Sequence, residues 1–211
     1  MNVIKLLYGL RGVKNKIRQV LVNRRNSKNV TLIGNYHIFG LNSNVLLSWG
    51  SVKDDIVMLE HSEVHGRIAS FNHGKITIGA WTKIGYGTTI SCVNEIRIGN
   101  DTAISYNVTI IDNNSHPINP EDRRYLQHTP HNSIERSQHM SDNSPIIIGN
   151  NVWIGTEARI CKGVTIGDNA IIAANSVVTK NVPANAIAAG NPARIVKEDI
   201  DKTTTPIFPL S

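Results

Sequence analysis

Aromatic side chains make up only 5% of this 211-residue chain, with three Phe among them, and leucine thins out after residue 60. A core poor in large rings must be filled by Ile, Val, Leu and Ala, which suits a narrow, regular interior better than an irregular globule. Cysteine is nearly absent: Cys92 and Cys161 are too few for a disulfide framework and lack metal-site spacing, so a reducing compartment is the default. Long apolar runs are missing too. Without a stretch of about 18 apolar residues, or a compact apolar segment followed by a cleavage site, neither a membrane span nor a signal peptide is expected.

Acid is missing from segment 1–28, which carries Lys5, Arg11, Lys14, Lys16, Arg18, Arg24, Arg25 and Lys28. The formal charge of +6 is therefore concentrated there, and the rest of the chain is close to neutral. Val3, Leu6, Leu7, Leu10, Val13, Ile17, Val20 and Leu21 recur at three and four within this segment, the stripe of an amphipathic helix. Such a helix packs on its own domain or on a neighbouring subunit, or it lies on anionic lipid. Nucleic-acid binding is not expected, because no interleaved aromatics and no nucleic-acid module accompany the charge.

What is present in abundance is a six-residue period. From Ile78 the chain reads IGAWTK, IGYGTT, ISCVNE, and after two further residues IGNDTA, ISYNVT, IIDNNS; from Ile148 it reads IGNNVW, IGTEAR, ICKGVT, IGDNAI, IAANSV, VTKNVP. Ile or Val opens each hexad and a small residue usually follows, so the period predicts a solenoid. Each hexad supplies one short strand and a turn, and three close a triangular coil of about 18 residues. Coils stacked about 4.8 Å apart bury the opening aliphatics ring upon ring. Small second residues are read as permitting tight corners, where positive φ favours Gly and Asn.

Counting in eighteens gives coils at 78–95, 98–115, 148–165 and 166–183, with insertions at 96–97 and 116–147. Looser echoes at Leu32-Ile33-Gly34, Val64-His65-Gly66 and Ile76-Thr77 read as irregular earlier coils. The expected fold is all-β: a parallel β-helix over 29–198, left-handed by the resemblance given next, with a short N-terminal helix in segment 1–28, a long inserted loop at about 116–147 and a C-terminal tail at 199–211. Cys161 then falls at a small-residue corner and Cys92 at a surface turn.

The handedness follows from a resemblance. The run GNNVWIGTEARICKGVTIGDNAIIAANSVVTKNVPANAIAAGNPARIVKE (149–198) and the motif SHP (115–117) resemble the hexapeptide-repeat acyltransferases, within them the galactoside and xenobiotic acetyltransferase branch. That resemblance covers about residues 76–198. It implies a homotrimer with three active sites between subunits, and acetyl-CoA as donor. It implies a catalytic histidine at His116 and an indole, Trp153, beside the thioester or acceptor. Main-chain groups at Thr156 and Ala174 would meet the pantetheine arm, Thr179 and Lys180 would lie near the nucleotide, and Arg194 and Lys197 would face the phosphates. Read from the residues alone, these cations are ordinary solvated charges and Trp153 packs under the loop or in an interface.

The chemistry fits the histidine. Acetyl transfer from a thioester to a hydroxyl needs a base for the hydroxyl proton, and a free imidazole titrates in the right range. Eight histidines compete: His37, His61, His65, His73, His116, His128, His131 and His139. His116 also stands six positions after Ile110, where the next inward aliphatic is due, with Asp112 or a main-chain carbonyl to orient its ring. The β-helix of the γ-class carbonic anhydrases binds zinc through three histidines, but here the candidate groups, His61 with His65 and His128 with His131 and His139, do not fall in register on the regular coils, so no metal is expected.

One departure limits the resemblance. Where the galactoside branch has an acceptor-binding asparagine, register places Gly85. The reading is therefore an acetyl-CoA-dependent O-acetyltransferase acting on a saccharide of a surface glycan or its precursor, cytoplasmic and peripheral to the inner membrane face. A sugar-nucleotide N-acetyltransferase is the alternative, followed by a zinc enzyme or a non-catalytic β-helix.

Overall fold

The structure, a computed structural model, describes residues 2–131, 133–136 and 141–203, with side chains from Val13 onward except that of Ile134. His139 and the tail beyond residue 203 lie outside the described residues. The chain winds as a left-handed parallel β-helix whose three faces are parallel sheets. Face one stacks Thr31–Leu32, Ile56–Met58, Lys75–Ile78, Glu95–Ile98, Ile146–Ile148 and Thr165–Ile166. Face two stacks Ile38–Phe39, Glu63–Val64, Lys83–Ile84, Ala103–Ile104, Trp153–Ile154, Ile171–Ile172 and Ile187–Gly190, closed by Ala193–Lys197 running antiparallel. Face three stacks Asn44–Ser48, Arg67–Phe71, Thr89–Cys92, Thr109–Ile111, Arg159–Ile160 and Val177–Val178.

The hexad openings are the core. Ile78, Ile98, Ile148 and Ile166 align on face one, Ile84, Ile104, Ile154 and Ile172 on face two, and Ile90, Ile110, Ile160 and Val178 on face three, all buried. At about 1.5–3 kcal/mol per buried aliphatic, a single coil is unstable and the stack holds by cooperation. The early echoes are real coils: Leu32 pairs with Met58, and Val64 with Phe39 and Ile84.

Two expectations change. Between the partners Met58, Ile78 and Ile98 each coil is one pair longer than three hexads, and the extra pair sits at the corner between faces three and one, where Cys92 and Val93 are buried, rather than at 96–97. Cys92 is thus a core residue and not a surface turn. Its strand is long enough for the two-residue alternation of a β-strand to turn it inward after Ile90. The second change concerns the small residues. Gly79, Gly99, Gly149 and Gly167 do not have positive φ; that conformation falls two positions later, at Trp81, Asp101, Asn151 and Asn169.

An α-helix, Asn2–Asn26, caps the open end of the stack. It rests on strands Ile38–Phe39 and Asn44–Ser48, with Val22 buried. No helix among the described residues is long and apolar enough to cross a membrane.

Asp55, just before the strand Ile56–Met58, is buried and accepts from Lys75 Nζ at 2.5 Å, Val52 N at 2.7 Å and His73 Nδ1 at 3.2 Å. Burial pushes its carboxyl up, but the Lys75 ammonium and the other donors outweigh burial and hold it below the usual carboxylate range. A carboxyl so depressed stabilises the fold above its unfolded pKa of about 3.9, and that contribution is lost as pH falls through the lower folded value. Lys75→Met is therefore expected to unfold at lower urea than the parent at pH 7, with the difference closing as pH falls beneath the unfolded pKa and through the lower folded one. Urea midpoints followed from pH 7 into acid check this.

Candidate active site

The loop departs earlier than hexad counting predicts. After Ile111 the next inward position goes to Asp112, directly above Cys92, and its carboxylate is fully buried. It accepts from Val93 N at 3.0 Å, Asn94 N at 2.7 Å, Cys92 Sγ at 3.2 Å and Asn113 Nδ2 at 3.1 Å. Burial, then the Asp112 charge, push the Cys92 thiol far above its ordinary range, so it is inert as a nucleophile. Asp112 also fastens the loop's return, because Ser144 N donates to its main-chain oxygen at 2.9 Å and Asn113 bridges Asn143. The loop proper is therefore 113–143. It carries a helix, Pro120–His128, whose N-cap Asn119 accepts from Glu121 N at 2.8 Å.

His116 lies just beyond this neck, after Ser115 at φ +62°. It is exposed, not turned into the coil, and Asp112 does not orient it, since that carboxylate is spent on the neck. The expectation failed because it extended a six-residue period through a strand whose inward positions alternate by two.

The other anticipated residues fall into two groups. On face two, Trp153 is 53% exposed, as the hexad pattern predicts, and its Nε1 donates to Ser105 Oγ at 3.4 Å. Thr156 and Ala174 follow at the edge between faces two and three on successive coils, joined by Asn175 N to Thr156 O at 2.9 Å. Arg194 and Lys197 are exposed on the antiparallel strand that ends face two. The second group sits at a different edge, between faces three and one: Thr179 and Lys180, exposed after Val178, and the loop bearing His116. One chain thus brings Trp153, Thr156 and Ala174 onto one edge and His116 onto another.

A groove of about 290 Å³ continues the first edge towards the N-terminal coils. Glu63, His65, Lys83, Gly85, Tyr86, Ser105 and Tyr106 line it. Tyr86 and Tyr106 occupy the coils before Thr156 in the same column, through Asn107 N to Tyr86 O and Glu157 N to Tyr106 O, each 2.9 Å. Their rings are stacked with centroids 6.2 Å apart, and both are about half exposed. Glu63 meets Lys83 Nζ at 3.2 Å and His65 Nε2 at 3.4 Å. Burial opposes ionisation of Glu63, but Lys83 and His65 hold its carboxyl below the usual range, so the groove carries a fixed anion beside a cation.

Gly85 is bare for a steric reason: a Cβ there would stand 2.5 Å from Ser105 O. The position that departs from the galactoside branch can therefore hold no side chain here without prying coils apart. The tyrosines were missed in the sequence, although their signal was present: IGYG and ISYN put Tyr86 and Tyr106 at the same hexad position of successive coils. Among the described residues, no group of three His, Cys, Asp or Glu is disposed to hold a metal ion.

Comparison with known proteins gives this geometry a family. The family described as bacterial transferase hexapeptide (six repeats) matches residues 145–180. The galactoside O-acetyltransferase of Escherichia coli K12 is 34% identical over 148 residues, 67% of this chain and 72% of that enzyme. Among solved structures, a polySia-specific acetyltransferase, NeuO, superposes with a TM-score of 0.60 at 27% identity, covering 86% of each chain. A galactoside acetyltransferase in complex with coenzyme A superposes at 0.56 and 26% identity, over 91% of this chain and 74% of the other. The chain belongs to the hexapeptide-repeat acetyltransferases, left-handed β-helix enzymes that take their acyl group from acetyl-CoA and are related to the galactoside and polysaccharide O-acetyltransferases.

Proposed function

We propose that this enzyme transfers the acetyl group of acetyl-CoA to a hydroxyl of a saccharide, at sites formed between the subunits of a homotrimer. The observation that carries the reading is the division of the site residues between two edges of one chain; in the proposed trimer the His116 edge of one subunit would complement the Trp153–Thr156–Ala174 edge of the next. In this arrangement the pantetheine arm runs along Thr156 and Ala174, with Arg194 and Lys197 towards the phosphates, where charge-assisted bonds are strong. Thr179 and Lys180 approach the nucleotide from the subunit that supplies His116.

The saccharide lies in the groove ahead of Trp153. Tyr86 and Tyr106 offer apolar faces to its C–H surface, and Glu63 and Lys83 supply an acceptor and a donor for its hydroxyls. His116 takes the hydroxyl proton as the oxygen attacks the thioester carbonyl. Collapse of the tetrahedral intermediate breaks the C–S bond, and the imidazolium returns the proton to the thiolate. The names of the relatives, enzymes of galactosides and polysialic acid, support a surface glycan or its precursor as acceptor. The reaction is placed in the cytoplasm, where acetyl-CoA is available, with residues 1–28 against the inner membrane face.

The test is free-thiol release from acetyl-CoA with a panel of glycans and amino sugars. Hydroxyl acceptors are expected to drive release. Release driven by amino sugars alone would give the reaction to N-acetylation, and release by none would defeat the proposal.

A further inference from the structure

Among the described side chains, from Val13 onward, the N-terminal helix is anchored by one face. Its inner side meets the first coil through buried Val22, through Gln19 Nε2 donating to Phe39 O, and through Asn26 Nδ2 donating to Ser43 Oγ at 2.8 Å. Arg25 adds a bond to Ser43 O on the same flank. Turned the other way are Val13, Ile17, Val20 and Leu21, between 57% and 65% exposed. At 100° per residue these four fall within an arc of about 100° opposite Val22. Ile17, Val20, Leu21 and the stem of Lys16 enclose an open groove of about 270 Å³ whose walls expose no polar atom.

The charges around this stripe select its occupant. Lys14 and Lys16 flank the arc on its two sides and Arg24 continues it, all exposed. Segment 1–28 as a whole holds eight cations and no acid. A second copy of the helix would bring like charges together at the 8–10 Å spacing of packed helices, roughly one Debye length, with no carboxylate in the segment to offset them. An anionic phospholipid surface answers both features at once, taking the aliphatic side chains into its acyl boundary and the lysines among its headgroups.

We propose that the Val13–Ile17–Val20–Leu21 face of the N-terminal helix docks on anionic phospholipid, which deepens the reading that residues 1–28 lie against the membrane. Because the helix caps the first coil, docking would set the solenoid on the membrane by its N-terminal end, with the acetyl-transfer groove further along the stack.

The test is co-sedimentation of the full chain with vesicles of phosphatidylcholine containing about one quarter phosphatidylglycerol, and with phosphatidylcholine alone. Binding to the anionic vesicles is expected to be at least about tenfold stronger and to weaken as salt rises to about 0.5 M. Ile17→Ser/Leu21→Ser and Lys14→Glu/Lys16→Glu should each lose about tenfold or more in vesicle binding while acetyl transfer to a soluble acceptor is unchanged. Equal binding to neutral vesicles, no binding by the parent, or undiminished binding by both variants overturns the proposal. So does a change of oligomeric state in Ile17→Ser/Leu21→Ser, by light scattering, with vesicle binding intact, which makes the stripe a contact between copies. Vesicle binding without acetyl transfer to any soluble acceptor would instead sink the catalytic reading and leave this one standing.

Discussion

His116→Ala is expected to lower turnover by ~10²–10⁴ while leaving the affinity for acetyl-CoA nearly intact. The size of the effect follows from the role. A hydroxyl is a poor nucleophile until its proton has a destination, and general-base catalysis supplies that destination only in the transition state. Loss of such an interaction reduces kcat and kcat/KM together and spares ground-state binding. The structure favours a clean result, because His116 is exposed on a loop whose neck is held by Asp112, Asn113 and Ser144 rather than by the histidine. Calorimetry with coenzyme A and steady-state thiol release measure the two halves of the claim. Full turnover in the variant would remove His116 from the mechanism; lost coenzyme A binding would make it a structural residue.

The second large effect is structural. Gly99→Val is expected to cost ~3 kcal/mol. Gly79, Gly99, Gly149 and Gly167 form a column, and a Cβ on Gly99 would stand 2.6 Å from both the carbonyl carbon and the oxygen of Gly149. Those neighbours are backbone and cannot rotate away. Relief requires spreading coils whose ladder runs through Gly79 N to Ile98 O at 2.9 Å and Gly99 N to Ile148 O at 2.8 Å. The contrast is Asn151→Gly, at a residue with φ +52° whose side chain donates to Asn169 at 2.9 Å. Glycine suits that backbone, so only the side-chain bond is lost, about 1 kcal/mol. Denaturant unfolding at one fixed protein concentration compares the two. If Gly99→Val costs no more than Asn151→Gly, close approach of the coils is not what the column of glycines provides.

This pair also shows where sequence reasoning stops. The six-residue period made the solenoid, its buried ring of Ile and Val, and the outward Trp153 legible, because each depends on phase within one chain. Small residues after each aliphatic were visible too, yet their cause was misread as positive φ. The true cause is the distance to the next coil, which no single hexad encodes. His116 was found as a motif but not as a direction: Asp112 ends the repeat four positions earlier, and that depends on its four donors from neighbouring residues, three of them one coil back. The Tyr86–Tyr106 groove became visible only when successive coils were stacked.

The central claim is that no single chain holds a complete site. Mixing subunits tests it most directly, using His116→Ala and Ala174→Arg, the latter laying a long side chain across the exposed path proposed for the pantetheine arm. Each variant alone should be nearly inactive. After equal amounts are unfolded and refolded together, every site needs an intact loop from one chain and an open edge from the next, so random trimers should recover half times half, or about one quarter, of the parental activity. Activity no higher than the sum of the two inactive parents would show that His116 works over its own chain's groove, and would contradict the account.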